Sequence, residues 1–232
     1  FITIFCASFA QISTPAQAAT VLNDIQGHWA EESIQSLAKV GIIDGYPDGS
    51  FRPEDNITRA EFAKIVARAF GYAPKDQTNF TDMGDHWAKH FVSTLAESQI
   101  VTGYPDGSFQ PSKNITRAEM VAMLARVANL GDIGEADATS WTPSFTDVNS
   151  GHWAFRFVEI AQKLDIIPIH FGLVFQPEKP ATRAETAYMV AELRSAQFAK
   201  GTISDVNFDG SNITLTSASG GSPNGHNGSH VG

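Results

Sequence analysis

Cysteine is almost absent from this chain: Cys6 is the only one. It follows Phe5 in an uncharged apolar stretch, whereas a lipid-modified cysteine wants small residues before it. The rest of the chain therefore offers no thiol, no disulfide and no cysteine metal ligand. Basic charge is scarce too, with 16 Lys and Arg against 25 Asp and Glu and a net charge of −9. No basic face is large enough to neutralise a run of phosphates, so no nucleic-acid partner is expected. Apolar runs fall short of the ~20 residues a membrane-spanning helix needs, and no membrane insertion of the mature chain is expected. Catalytic signatures are also missing. Neither Gly-x-Ser-x-Gly, nor His-Glu-x-x-His, nor a phosphate-cradling glycine loop, nor a cysteine nucleophile occurs, so the chain reads as non-catalytic, with no cofactor and no metal.

What is present begins with a leader. Residues 1–18 carry no charge and run from Phe1 through apolar residues into Ala16-Gln17-Ala18, a small-x-small cleavage pattern. We read this as the rear of a signal peptide and expect secretion. The overall hydrophobic content of 42% supports a packed core.

Self-similarity organises the remainder. His-Trp-Ala occurs at His28-Trp29-Ala30, His86-Trp87-Ala88 and His152-Trp153-Ala154, and Thr-Arg-Ala-Glu at Thr58 to Glu61, Thr116 to Glu119 and Thr182 to Glu185. Trp and Arg are 30 residues apart in every copy, and Trp precedes the intervening Phe51, Phe109 or Phe175 by 22. The period itself varies, 58 residues and then 66, so length is constrained inside the unit and free outside it. The pattern divides the chain into units at 21–71, 80–128 and 145–194, followed by 195–232.

Each unit reads as helix, loop, helix. Ala30, Ile34, Leu37 and Ala38 share one helical face, Gly41 supplies a stop, and the second copy repeats the stripe with Ala88, Val92, Leu95 and Ala96. In the third copy Ala154, Val158 and Ala161 keep the stripe while Gln162 interrupts it. The loops Gly45 to Phe51 and Gly103 to Phe109 are dense in turn formers. Thr58-Arg-Ala-Glu61 is a capping box, and Ala60, Phe62, Ile65, Val66 and Ala69 form a buried face behind it. A helix pair of this size buries little apolar surface alone, so the fold class expected is all-α, with three units packed pseudo-threefold around a shared axis.

Several residue types invite function. Arg59, Arg117 and Arg183 sit in a first helical turn, where the helix dipole disfavours a cation by some tenths of a kcal/mol, up to ~1. Each therefore acts beyond its own helix, either gripping a carboxylate together with free helix-start amides or bridging to a neighbouring unit. The tryptophans can stack on a sugar ring or fill the core, and the residues alone favour core. His28, His86 and His152 could meet on a threefold axis as metal ligands, but a His beside a helix start reads first as a cap or surface residue. Asp44, Asp48 and Asp55 fall at calcium-loop positions; the second copy has Thr102, Asp106 and Lys113 there, and a Lys in the bidentate position rules that loop out.

Taken together, Asp24-Ile-x-x-His-Trp-Ala30, Gly41 to Phe51 and Ile57-Thr-Arg-Ala-Glu61 resemble the S-layer-homology family over about 150 residues. The resemblance implies a prokaryotic cell-surface protein, a three-pronged pseudo-trimeric spindle, and inter-prong grooves that bind peptidoglycan-linked, often pyruvylated, secondary cell-wall polysaccharide. It maps the ligand-binding residues onto Trp29, Gly45, Arg59, Trp87, Gly103, Arg117, Trp153 and Arg183. The third copy departs from the pattern, with Ile169 and Leu173 where Gly45 and Gly49 stood. We expect Ile169 to fill the space left open by glycine and to close or alter the groove around that loop, with Arg183 and Trp153 retained, leaving two working grooves. Lys200 to Thr216 reads as a hairpin turning at Asp209-Gly210, and Ser217 to Gly232 as a Gly/Ser/Asn tail. Alternatives to a wall anchor are a self-assembling envelope subunit, with self-association left open, and the anchor portion of a truncated envelope enzyme.

Overall fold

The computed structural model describes residues 22–128, 141–199, 205–209 and 212–216. Among the described residues six α-helices make up the body: α1 Glu31–Lys39, α2 Arg59–Ala69, α3 Lys89–Glu97, α4 Arg117–Val127, α5 Phe155–Lys163 and α6 Arg183–Ala199, with a short 3-10 turn at Ile169–Phe171. Two strands, β1 Asp205–Asp209 and β2 Asn212–Thr216, pair antiparallel with Asp205 opposite Thr216 and Asp209 opposite Asn212. The expected leader at 1–18 with Cys6, the expected turn residue Gly210 and the expected tail from Ser217 lie outside the described residues.

The helices form where the sequence pattern places them. Ala30, Ile34 and Leu37 are buried, as are Ala88, Val92, Leu95, Ala154, Val158 and Ala161 at the matching positions. Thr58 and Thr116 cap α2 and α4 in complete capping boxes with Glu61 and Glu119. At α6 the Thr182 hydroxyl likewise accepts from Glu185 N (3.1 Å) while the Glu185 carboxylate accepts from Thr182 N (3.2 Å). The first helices of the units start differently. Nδ1 of His28, His86 and His152 accepts from Ala30, Ala88 and Ala154 N at 3.1, 3.2 and 3.1 Å, which holds the turn just ahead of each helix, while the helix-start amides themselves receive no side-chain cap. The stop after the first helix does not need glycine. Gly41 has φ 68°, and Gln99 (59°) and Asp165 (57°) adopt the same left-handed conformation.

The units close on one another in a cycle. Helix α2 packs on α3, α4 on α5, and α6 returns to α1. Backbone bonds follow the same order: Ile115 N donates to Ile57 O (3.0 Å), Ala181 N to Ile115 O (2.9 Å), and Ile57 N to Ala181 O (3.1 Å). Isolated antiparallel bridges pair Thr58 with Asn114, Thr116 with Pro180, and Thr182 with Asn56. The core runs through all three units as one cluster, with Phe51, Phe109 and Phe175 almost wholly buried at equivalent places. Among the described residues no helix is long and apolar enough to cross a membrane.

One recurring clasp holds each loop. Asp24 accepts from Phe51 N and Arg52 N (both 2.7 Å), Asp82 from Phe109 N and Gln110 N (2.8 and 2.7 Å), and Asp147 from Phe175 N and Gln176 N (2.9 and 2.7 Å). The residue after each Phe is left-handed without being glycine, φ 58°, 56° and 57° at Arg52, Gln110 and Gln176. That conformation costs roughly 1 kcal/mol, which two charge-assisted bonds from one carboxylate offset. At Asp24 desolvation works against ionisation, but the Phe51 and Arg52 amides outweigh it and hold the carboxyl below its ordinary value. A carboxyl depressed in the folded state stabilises above its unfolded pKa and loses that contribution as pH falls through the folded value. We expect Asp24→Asn to lower unfolding free energy by about 1–2 kcal/mol at neutral pH in urea titration. The difference from wild type should shrink once the pH drops below the ordinary carboxylate range.

Candidate functional site

The three first-turn arginines reach across unit boundaries in the same cyclic order. Arg59 Nε donates to Phe109 O (2.8 Å), an Arg117 terminal nitrogen to Phe175 O (2.7 Å), and Arg183 Nε to Phe51 O (2.8 Å). All three are buried, and each guanidinium lies over an aromatic ring of the next unit's loop. The helix-start amides expected to help bind a carboxylate are already used. Arg59, Arg117 and Arg183 N donate to Lys113, Lys179 and Asp55 O, and Ala60, Ala118 and Ala184 N to Pro111, Pro177 and Pro53 O. A buried N–H must find a partner, and the neighbouring unit's backbone supplies it before any ligand can. Any anion binding falls to the guanidinium groups, whose own partners differ between the three copies.

Identical placement conceals different chemistry. Arg183 donates to Phe51 O and to Asp44 O (3.0 Å), and among the described residues no carboxylate lies within ion-pair distance of it. Arg59 sits 3.3 Å from Glu119 Oε1 and stacks on Tyr104. Arg117 is fully committed: it makes a two-pronged ion pair with buried Glu185 and lies 3.7 Å over Phe171.

Arg183 borders an open cleft of about 300 Å³ in which side chains from all three units meet. Its walls carry Gly45 and Tyr46 from the first loop, Glu61 and Lys64 from α2, Trp87 from the second unit and Arg183 from the third. Lys64 Nζ and an Arg68 nitrogen both reach Asp44 Oδ2, at 2.7 and 3.0 Å. Desolvation opposes the charge on Asp44, yet the hydrogen bond and charge of Lys64, with Arg68, keep its carboxyl below the ordinary range. Asp48 is likewise engaged, by Ser50 and Arg52. The Asp44, Asp48, Asp55 calcium arrangement is therefore not formed, because two of its carboxylates already hold protein donors. Among the described residues no group of three or more His, Cys, Asp or Glu is placed to hold a metal.

The tryptophans do not fill the core. Trp29, Trp87 and Trp153 are 43, 53 and 55% exposed, against the residue-level expectation, because each stands just ahead of a helix whose apolar face starts one residue later at Ala. Gly45 and Gly103 have a packing reason. A Cβ on Gly45 would lie 2.5 Å from Leu22 Cδ2, and one on Gly103 would lie 2.7 Å from Ser108 O and against the Phe80 ring. Gly103 lines a second cleft of about 690 Å³ formed with the linker residues Lys75 to Phe80 and the end of α3.

The third loop departs from expectation in two ways. Ile169 does not fill the space of a glycine; the chain turns as a 3-10 element and leaves its side chain 95% exposed. Positive φ moves to Gly172 (59°), which frees Leu173 from a conformation it could not adopt cheaply. The residues beside this loop are Arg117 and Trp29, not Arg183 and Trp153: Arg117 lies on Phe171, and the Trp29 ring is 4.4 Å from that of His170. Cyclic packing pairs each loop with an arginine from the preceding unit, which a linear reading within one unit does not reveal. The Asp24, Asp82 and Asp147 clasp also escaped the sequence reading, although an Asp lies 27 or 28 residues before each Phe.

A closed ring of three helix-loop-helix units, with exposed indoles and arginines at the seams between them, defines a repeat-built binding module. The S-layer homology domain model matches residues 22–63 and 79–121, so the first two units are S-layer homology domains. The third unit shares the Trp-to-Arg spacing, the Asp clasp and the inter-unit arginine. Relatives include cell surface glycoprotein 1 of Acetivibrio thermocellus, 37% identical over 159 residues, covering 63% of this chain and 7% of the relative. The cellulosome-anchoring protein of the same organism is 35% identical over 156 residues (64% and 34%), and an S-layer protein of Bacillus licheniformis 32% over 207 residues (88% and 23%). The chain thus spans about a third or less of the length of these relatives. It is a cell-surface or cell-envelope protein.

The Arg117–Glu185 pair is buried on both sides, 4 and 3% exposed, so its halves are strongly interdependent. Removing one partner strands a charge at a cost of about 3–5 kcal/mol. Glu185→Ala should lower the urea-unfolding free energy by that order, and adding Arg117→Ala should restore part of it in a double-mutant cycle.

Proposed function

We propose that this domain is a non-catalytic anchor that holds its carrier to the cell wall by binding an acidic wall polysaccharide in the grooves between units. The observation that carries the reading is the cleft where Trp87, Lys64 and Arg183 converge with Gly45. An exposed indole offers a flat apolar face to a sugar ring, while a guanidinium without a carboxylate partner offers two parallel donors to an acidic substituent. The family match and an anchoring relative support the same reading. A pyruvyl ketal supplies a carboxylate of the kind the cleft suits. The ligand-binding set proposed is Trp87, Gly45 and Arg183 in the first cleft and, by cyclic equivalence, Trp153, Gly103 and Arg59 at the second seam, while at the third seam Trp29 is exposed and Arg117 is held by Glu185.

Sedimentation with purified wall sacculi tests this. Trp87→Ala should weaken binding roughly tenfold, equivalent to about 1.4 kcal/mol, and leave thermal stability almost unchanged because the indole is half exposed. Binding should also fall as ionic strength rises and when pyruvate is stripped from the wall. Undiminished binding by Trp87→Ala combined with Arg183→Lys would overturn the proposal. A second reading, a self-assembling subunit, draws on the S-layer relative that matches 88% of this chain. Concentration-dependent assembly without wall material, and no binding to sacculi, is the outcome it requires.

A further inference from the structure

The third loop presents apolar side chains to solvent where the first presents a polar turn. Aligned on Phe51 and Phe175, Ile169, Leu173 and Val174 replace Gly45, Gly49 and Ser50. They are 95, 69 and 46% exposed, and apart from the three tryptophans they are the large exposed hydrophobics among the described residues. The backbone beneath them is tied, with Gly172 N donating to Ile169 O (3.2 Å) and Thr146 N to Leu173 O (2.9 Å). A lone exposed aliphatic is ordinary, whereas three on one tied loop mark a contact surface.

A second apolar face follows in the same chain. The third unit hands the chain through α6 and residues 200–204 to β1 and β2. The register sets Val206 opposite Leu215 and Phe208 opposite Ile213. Alternation along a strand places these four apolar residues on one face and Asp205, Asn207 and Asp209 on the other. A two-stranded hairpin alone is marginal in water and needs an apolar platform.

We infer that the apolar face of the β1–β2 hairpin docks on Ile169, Leu173 and Val174 of its own chain. The lengths match. The Tyr188 ring adjoins Trp29, which adjoins His170 of the loop, and Tyr188 stands about 16 Å along α6 from Ala199. Five tether residues reach roughly 17 Å, and β1 covers a similar distance on the way back, which brings the Phe208 and Ile213 pair to the loop. Charge agrees as well. Residues 205–216 carry Asp205 and Asp209 and no Lys or Arg, while Lys179, 47% exposed and acting on His170, has its partner Glu185 (4.0 Å) already held by Arg117. One loop falls short of the roughly 800 Å² per partner that a stable association of two chains buries. A tethered segment needs less, because its effective concentration is millimolar. Docked, the hairpin covers the seam whose arginine is already committed, and this holds whether or not the domain binds the wall.

The test is a spin label on the polar face of the hairpin in the full chain, at Asn207→Cys with Cys6→Ser, read by amide and indole NMR. The label should broaden the Gly172 amide and the Trp29 indole and leave Gly107 of the second loop sharp. Ile169→Ser with Leu173→Ser, both exposed, should abolish the broadening, keep the thermal midpoint of the body and speed hydrogen exchange of the β1 and β2 amides about tenfold. The inference is overturned if Gly172 stays sharp, or if the double variant leaves broadening and exchange unchanged. It is equally overturned if broadening is as strong between a spin-labelled chain and a separately isotope-labelled one, since a second copy is then the occupant. Sedimentation with sacculi reads the anchoring proposal independently of all these outcomes.

Discussion

Everything in this molecule depends on an arginine at the first turn of each unit's second helix reaching the backbone of the next unit. The position is unfavourable for a cation within its own helix, where the dipole opposes it. The penalty of some tenths of a kcal/mol is exceeded by a charge-assisted bond to a buried Phe carbonyl and by stacking on that unit's loop aromatics. Because the three donors and acceptors run in a circle, no unit is terminal, and the apolar faces of all six helices drain into one core. A single helix pair would leave that surface in water.

Closure also creates the cleft. Each seam brings together a loop from one unit and an arginine from the unit before it, and in the first cleft a tryptophan from the unit after it. An aspartate holds two successive amides of the loop, which constrains the cleft wall before a ligand arrives. Preorganisation of this kind lowers the ordering cost of binding, which suits an anchor that must remain attached.

The seams then diverge through single substitutions. The geometry that leaves Arg183 without an acid partner gives Arg59 a neighbour in Glu119 and locks Arg117 onto Glu185. Glu61, Glu119 and Glu185 are all capping-box residues, so one residue type serves as helix cap in every copy and as counter-ion in two. The third seam has His170 and Tyr188 where the first has Tyr46 and Lys64, and this makes chemically distinct surfaces from one repeated plan.

The sequence by itself determined the unit and its local structure. Constant Trp-to-Phe and Trp-to-Arg spacings, apolar stripes at helical period and Thr-x-x-Glu caps specify contacts between residues close in the chain, and such contacts follow from periodicity and hydrogen-bonding type. Tertiary structure alone decided which unit each arginine serves, that the helix-start amides are already paired, that the indoles face water, and that Ile169 turns outward while Gly172 takes the strained conformation. Those outcomes depend on residues 50 to 132 positions apart pairing as buried donors and acceptors, and no local pattern encodes which pairing wins.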